Sequence, residues 1–257
     1  IFKMMIKKRI FNLSASFIAF SLAYSIAHLT EIDLVKNVIL YIFLIQWILF
    51  IPAYLFQTEK FYDLSGSFTY VFIACYVSYN YYLLNGVNIG NVLIAGAIII
   101  WAIRLGSFLF FRIKKAGEDR RFNEIKTSAT RFFMTWTLQG MWVSICSACA
   151  LTAISSSKGV EINFLLFMGL GIFLAGFLLE VIADNQKTKF RSDPKNKNNF
   201  ISSGLWSISR HPNYLGEIIL WLGITIMSIS SLTGWQLITL ISPIFTYVLL
   251  VYILSLI

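Results

Sequence analysis

The stretch "SRHPNYLGE", residues 209–217, brings several polar side chains to the start of an otherwise apolar segment. Asn213, Glu217 and Trp221 follow one another at steps of four residues, so they would share one face of a helix. Pro212 favours a helix start here, where unpaired N–H groups and the positive end of the helix dipole suit an anionic or amide-bearing ligand. A carboxylate and an amide inside an apolar helix are costly without a partner, so this face predicts a ligand site.

Two further carboxylates, Glu180 and Asp184, stand four residues apart in "FLLEVIADNQKTKF" and would share a helix face. Like charges in this arrangement repel unless a cation or a hydrogen-bond donor lies against them. Donors and cations suited to a ribose and a phosphate follow at once: Gln186, Lys187, Lys189 and Arg191. The alternative interpretation is a helix end with a solvated cluster of charges.

Arg104 lies one or two helical turns inside another apolar segment, which is deep for a side chain that snorkels to the surface. Glu59 and Tyr62 stand three residues apart in "TEKFYDLSG" and could form an acid pair that polarises a carbonyl. The same two side chains would equally serve as a capping carboxylate and an interfacial aromatic anchor.

The composition of the chain sets the elements that must position these groups. Of its 257 residues 58% are hydrophobic and only 13% are charged, which is too apolar for a water-soluble domain. The sequence predicts an all-α, polytopic transmembrane helix bundle of seven to eight spans, forming a single integral membrane domain over residues 1–257. The predicted spans are 10–29, 35–56, 66–84, 90–111, 132–154, 163–183, 213–231 and 234–257.

Basic residues predict the orientation of this bundle, because short loops rich in Lys and Arg stay cytoplasmic. They concentrate in residues 3–9, 112–131 and 187–210, and with eight spans all three groups fall on one side. The loops assigned to the opposite side carry only Lys36 and Lys158. The N-terminus is therefore predicted to be cytoplasmic.

The formal net charge of +9 follows from this loop asymmetry and does not indicate nucleic-acid binding. Cys75, Cys146 and Cys149 lie inside predicted spans with no further soft ligand nearby in sequence, which indicates buried reduced thiols and no metal site. The expected partners are the lipid bilayer and a hydrophobic small-molecule substrate.

Three blocks carry a resemblance to a known group of proteins. The runs "GLWSISRHPNYLGEIILWLG", "ADNQKTKFRSDP" and "IWAIRLGSFLFFRIKKAGEDRRF" resemble the bacterial membrane proteins of unknown function grouped in the steroid 5α-reductase superfamily. This resemblance implies a bacterial inner membrane rather than the endoplasmic reticulum. It also implies a reductase that binds NADPH within a helix bundle and passes hydride to the carbon–carbon double bond of an enone lipid.

The resemblance implies roles for individual residues in a cofactor-binding half at about residues 100–232. Asn213 and Glu217 match the pair that grips the nicotinamide carboxamide, and Asp184 matches an acid near the adenosine. Arg191 and Arg210 fall where phosphate-binding or ribose-binding cations are expected. The expected cofactor-binding set is Arg104, Glu180, Asp184, Lys187, Arg191, Arg210, His211, Asn213, Tyr214 and Glu217.

The chain departs from the resemblance at the catalytic tyrosine, because alignment on Arg104 puts Trp101 at that position. An indole has no acidic hydroxyl, so Trp101 is expected to pack against the nicotinamide or the substrate. Glu59 matches the glutamate that holds the substrate ketone, and Tyr62 is the expected substitute for the tyrosine.

Two other interpretations stay open. "RHPNYLGE" also resembles the S-adenosylmethionine-binding motif of isoprenylcysteine carboxyl methyltransferases, which Arg210, His211, Pro212 and Tyr214 fit. No acidic residue follows Glu217 in these 257 residues, so the second half of that motif is missing or lies past residue 257. The third interpretation is a non-catalytic lipid-binding protein, which the tryptophan at the tyrosine's position permits.

Overall fold

The structure, a computed structural model, describes residues 2–196 and 199–253. None of these residues is in a β-strand, so the all-α prediction is confirmed. The end of the predicted eighth span, residues 254–257, lies outside the described residues. The helices are α1 (Phe2–Leu29), α2 (Asp33–Leu55), α3 (Tyr62–Asn85), α4 (Ile89–Ala116), α5 (Ala129–Ser155), α6 (Phe164–Ser192), α7 (Pro212–Ser228) and α8 (Ile241–Val248).

Within the described residues, seven helical segments are long and apolar enough to cross a membrane, consistent with a multi-pass integral membrane protein. α3 is not among them, because it carries Ser, Thr and Asn side chains along most of its length. Some of these face other helices: Gln46 donates to the hydroxyl of the fully buried Thr69 at 2.8 Å. The 24 residues of α3 would still reach about 36 Å at the rise of an α-helix. The predicted count of seven to eight spans is confirmed.

α5 occupies the centre of the bundle. Of its most apolar stretch, 83% is buried, against 28% to 50% for the other spans. α1, α2, α3, α7 and α8 pack around it, whereas α6 lies outside and packs along α7. α4 packs on α3 and reaches both α6 and α7. The helices that carry the predicted ligand residues therefore form one side of the bundle.

α6 and α7 touch backbone to backbone through glycines spaced seven residues apart on each helix. A Cβ atom on Gly216 would lie 2.6 Å from the backbone nitrogen of Glu180, and one on Gly223 would lie 2.5 Å from that of Phe173. Gly216 therefore leaves room for the backbone of α6 to approach closely. Small residues at helix contacts let helices approach closely within membranes. This contact sets Glu217 beside Glu180.

Candidate functional site

Arg104 joins the two carboxylates of α6. Its guanidinium donates to Glu180 Oε1 and to Asp184 Oδ2, each at 2.7 Å, and the indole N–H of Trp101 donates to Glu180 Oε2 at 3.1 Å. Both carboxylates are buried. Arg104 therefore supplies the cation that the spacing of Glu180 and Asp184 requires.

α7 adds two acceptor atoms that have no donor. Glu217 is only 6% exposed, and its Oε1 makes no hydrogen bond with any described residue. Asn213, one turn earlier, is half-buried, and its Oδ1 is buried and likewise without a donor. Glu217 lies within electrostatic range of Glu180, Asp184 and Arg104. Buried acceptors are nearly always paired in folded proteins, so these two atoms mark a place for a ligand or water.

Three aromatic rings wall the same cluster. Trp101 and Trp221 meet edge to face with ring centroids 5.0 Å apart, and Tyr70 of α3 lies 5.0 Å from Trp101 and 5.5 Å from Trp221. Trp221 is one turn beyond Glu217 and is fully buried. These rings exclude water from the inner end of the cluster.

The segment before α7 is tied to the end of α6. Trp206 donates its indole N–H to the Ala183 carbonyl at 3.0 Å, and the side chain of Gln186 accepts from the Leu205 backbone at 3.0 Å. The ammonium of Lys187 lies 4.7 Å from the ring centroid of Trp206. These contacts bring the start of α7 alongside the charged end of α6.

The cluster consists of Arg104, Glu180, Asp184, Asn213 and Glu217, and we call the side towards the end of α6 and the start of α7 its open end. Cations surround this open end. Lys187, Arg191 and Arg210 are exposed there, as the sequence placed them near the ends of α6 and α7. Arg112 and Arg121 lie within electrostatic range of Tyr214. The ring of Tyr214 stacks on that of His211, with the ring centroids 5.0 Å apart.

His211 sits at this open end as a neutral ring. Burial, and then the positive charges of Lys187 and Arg210, lower the pKa of His211. The imidazole therefore stays neutral at neutral pH. The structure thus brings together all ten residues of the predicted cofactor-binding set, either in the buried cluster or around its open end.

Glu59 and Tyr62 lie in a different cluster. Glu59 is 2% exposed, pairs with the ammonium of Lys126 at 2.7 Å and accepts from the Asp119 backbone N–H at 3.1 Å. The hydroxyl of Tyr62 donates to the Thr135 carbonyl at 3.0 Å. Among the described hydrogen bonds and ion pairs, none joins these two residues to the Arg104 cluster. Their catalytic role stays a prediction.

A cavity of about 510 Å³ opens between α2, α3 and α4 and is lined mainly by apolar side chains, among them Leu64, Phe68 and Ala102. On α4 the cavity is lined by residues 102, 103, 106 and 107, which point away from Trp101 and Arg104 at helical spacing. α4 therefore separates this cavity from the buried cluster.

Sequence reasoning missed Tyr70 and Arg121 as neighbours of the cluster. Tyr70 is one of 12 tyrosines in the chain, and no motif or charge pattern singled it out. Arg121 lies in the loop after α4, and only the fold shows that it comes near Tyr214. Helix spacing relates residues within one helix, so contacts between distant segments gave no sequence signal.

Comparison with known proteins places the chain in a family. Residues 47–256 match the family described as "Protein of unknown function (DUF1295)". The chain belongs to the DUF1295 family. It is also 31% identical over 117 residues to the "Probable O-methyltransferase ustE" of Ustilaginoidea virens, an alignment that covers 40% of this chain and 41% of that relative. No solved structure matches the chain.

Proposed function

We propose that this DUF1295 protein is a membrane-embedded, NADPH-dependent reductase that acts on the carbon–carbon double bond of an enone lipid. The observation that carries the proposal is the pair of unpartnered acceptors, Glu217 Oε1 and Asn213 Oδ1. They lie one helical turn apart in the first two turns of α7. A primary amide such as the nicotinamide carboxamide carries two N–H donors, which fit two acceptors of this kind.

The open end of the cluster supports a ligand that carries phosphates. Arg210, Lys187 and Arg191 are exposed there, and Arg112 lies near Tyr214, as does Arg121, which is paired with the carboxylate of Asp119. Guanidinium and ammonium groups bind phosphates through charge-assisted hydrogen bonds. NADPH has three phosphate groups to meet such cations, whereas S-adenosylmethionine has none.

In this proposal the chain binds and orients the cofactor. Bound NADPH would supply the hydride. Glu217 and Asn213 would hold the carboxamide, and Arg104 would keep Glu180 and Asp184 in fixed positions through its two ion pairs. The buried rings of Trp101 and Trp221 would keep water away from the reacting atoms. Trp101 would act as a wall of the pocket, because its N–H is already engaged by Glu180.

A second candidate function is methyl transfer from S-adenosylmethionine. The similarity to the "Probable O-methyltransferase ustE" favours it, although the chain spans only 41% of that relative's length. Arg210, His211 and Tyr214, which fit the methyltransferase motif, also lie at the open end of the cluster. An amino group of that ligand would be the donor to Glu217.

Thermal-shift titrations of the purified protein in detergent with NADPH, NADH and S-adenosylmethionine distinguish the two candidates, since a ligand that binds the folded state raises its apparent stability. The proposal expects stabilisation by NADPH. Asn213→Ala, which removes an acceptor, and Glu217→Gln, which replaces a charged acceptor with a neutral one, should each weaken NADPH binding by about 1–3 kcal/mol, the usual size for a change at a buried or charged hydrogen bond.

Glu161→Gln is the matched control, because Glu161 is exposed in the loop before α6, at the opposite end of that helix. It should bind NADPH as the wild type does. Unchanged NADPH affinity in folded Glu217→Gln would refute the assignment of α7, and stabilisation by S-adenosylmethionine alone would establish the second candidate.

A further inference from the structure

The buried cluster holds more carboxyl groups than cations. Glu180, Asp184 and Glu217 are 2%, 5% and 6% exposed, and the described ion pairs of the cluster all involve Arg104. Three carboxylates against one guanidinium leave an excess of two negative charges when all are ionised. Because unpaired buried charge is costly, such a cluster must take up protons or a positively charged ligand.

The excess of negative charge is greatest around Glu217. Asp184 is influenced by Arg112 and Lys187 in addition to Arg104. Glu217, in contrast, lies near two carboxylates, and Arg104, the cation beside it, is already paired with both of them. The unpartnered Oε1 of this nine-tenths-buried side chain is therefore an acceptor that forms no ion pair among the described residues.

Aromatic rings also lie beside Glu217. Trp221, Trp101 and Tyr70 pack against one another there, and the indole N–H of Trp221 has no hydrogen-bond partner among the described residues. Aromatic rings attract cations through their negative faces, and the attraction is larger where water is excluded.

We propose that this pocket selects for positive charge, so that it binds the cationic form of its ligand more tightly than the neutral form. For a nicotinamide ligand the inference rests on the proposed function, and the favoured form is the oxidised, pyridinium ring of NADP⁺. The carboxylates would then stabilise the positive charge left on the ring when a hydride departs with both bonding electrons. They would oppose methyl donation from a sulfonium, which neutralises that cation.

Two pairs of ligands test this inference: NADP⁺ with NADPH, and S-adenosylmethionine with S-adenosylhomocysteine. In each pair the first ligand carries one more positive charge than the second. Thermal-shift titrations of the whole protein in detergent at one pH and low salt would give the apparent affinity of each. In the wild type, the cationic member of whichever pair binds should have at least about tenfold higher affinity than the neutral member, because charge interactions are strong at partly buried sites. Glu217→Gln should bring the two affinities close to equality, and Glu161→Gln should leave the preference unchanged.

The outcomes separate this inference from the proposed function. Binding of the nicotinamide pair without preference for NADP⁺ overturns the inference and leaves the reductase proposal standing. Binding of only the S-adenosyl pair, with S-adenosylmethionine preferred, supports the inference and overturns the reductase proposal. A preference that persists in Glu217→Gln refutes the role of Glu217, and binding of neither pair overturns both.

Discussion

Glu59 and Glu217 are both buried glutamates, yet their surroundings differ in kind. Glu59, 2% exposed, has an ammonium at 2.7 Å and a backbone N–H at 3.1 Å. Glu217, 6% exposed, has an oxygen with no hydrogen bond among the described residues. The described residues satisfy the first carboxylate but give Oε1 of the second no donor.

The difference shows that burial alone does not identify a functional carboxylate. Glu59 links the α2–α3 loop to the loop after α4 through Lys126 and Asp119, so its polar atoms already hold the fold together. A site for a ligand is better indicated by an acceptor that lacks its donor. The following predictions test whether these two regions are indeed structural and ligand-binding.

Lys126→Met should give the largest loss of stability. It leaves the buried charge of Glu59 without its cation, which typically costs about 3–5 kcal/mol. Thermal unfolding of the purified protein in detergent measures the effect, with Lys60→Met as the control because Lys60 is exposed on the same loop as Glu59. Equal melting temperatures for the two variants would show that the Glu59 pair is not structural.

The contribution of this pair should depend on pH. Burial opposes ionisation of Glu59, but the hydrogen bond from Lys126 and the backbone N–H of Asp119 outweigh it and lower the pKa of Glu59 below its ordinary 4.5. The stabilisation is therefore complete above that value and is lost as the pH falls through the lower folded-state pKa. The difference in melting temperature between wild type and Lys126→Met should shrink on acidification below about pH 4. A difference that grows there would contradict the pairing.

Gly176→Ala should have an intermediate effect, because its methyl group would lie 2.5 Å from the Leu220 nitrogen and force α6 away from α7. Overpacking of this kind costs about 1–3 kcal/mol. Gly171→Ala, in the same helix, meets no atom within 4 Å and should be neutral or slightly stabilising. Melting temperatures and NADPH affinities of both variants test this, and the absence of any difference between them would argue against the close helix contact.

Tyr62→Phe should have the smallest effect, since it removes one hydrogen bond to the Thr135 carbonyl. The expected loss is about 0.5–1.5 kcal/mol of stability, with NADPH affinity unchanged. If Tyr62 instead serves the substrate carbonyl, Tyr62→Phe would abolish enone reduction while the folded protein still binds NADPH. Comparison of turnover with melting temperature separates these roles.

Much of the helical fold could be predicted from the sequence, because apolar runs of spanning length are a local property. α3 was found as well, although its inward-facing Thr69 and neighbouring polar residues make it less apolar than the other spans. Helix spacing alone predicted that Glu180 shares a helix face with Asp184, and that Asn213 shares one with Glu217.

The contacts between helices could not be predicted in the same way. Arg104 meets Glu180 across 76 residues, and Lys126 meets Glu59 across 67. Spacing within one helix carries no information about either pairing. For this reason the sequence could not predict the ion-pair partner of Glu59, and its catalytic role stays a prediction.

An experimental structure of the wild-type protein with NADPH tests directly the claim that Glu217 and Asn213 bind the nicotinamide carboxamide. The claim predicts a carboxamide nitrogen within about 3.2 Å of Glu217 Oε1, the outer limit of a good N–H···O hydrogen bond. It also predicts phosphates beside the cations at the open end of the cluster. NADPH bound in the cavity between α2, α3 and α4, or at Glu59, with Glu217 Oε1 still without a donor, would contradict the claim.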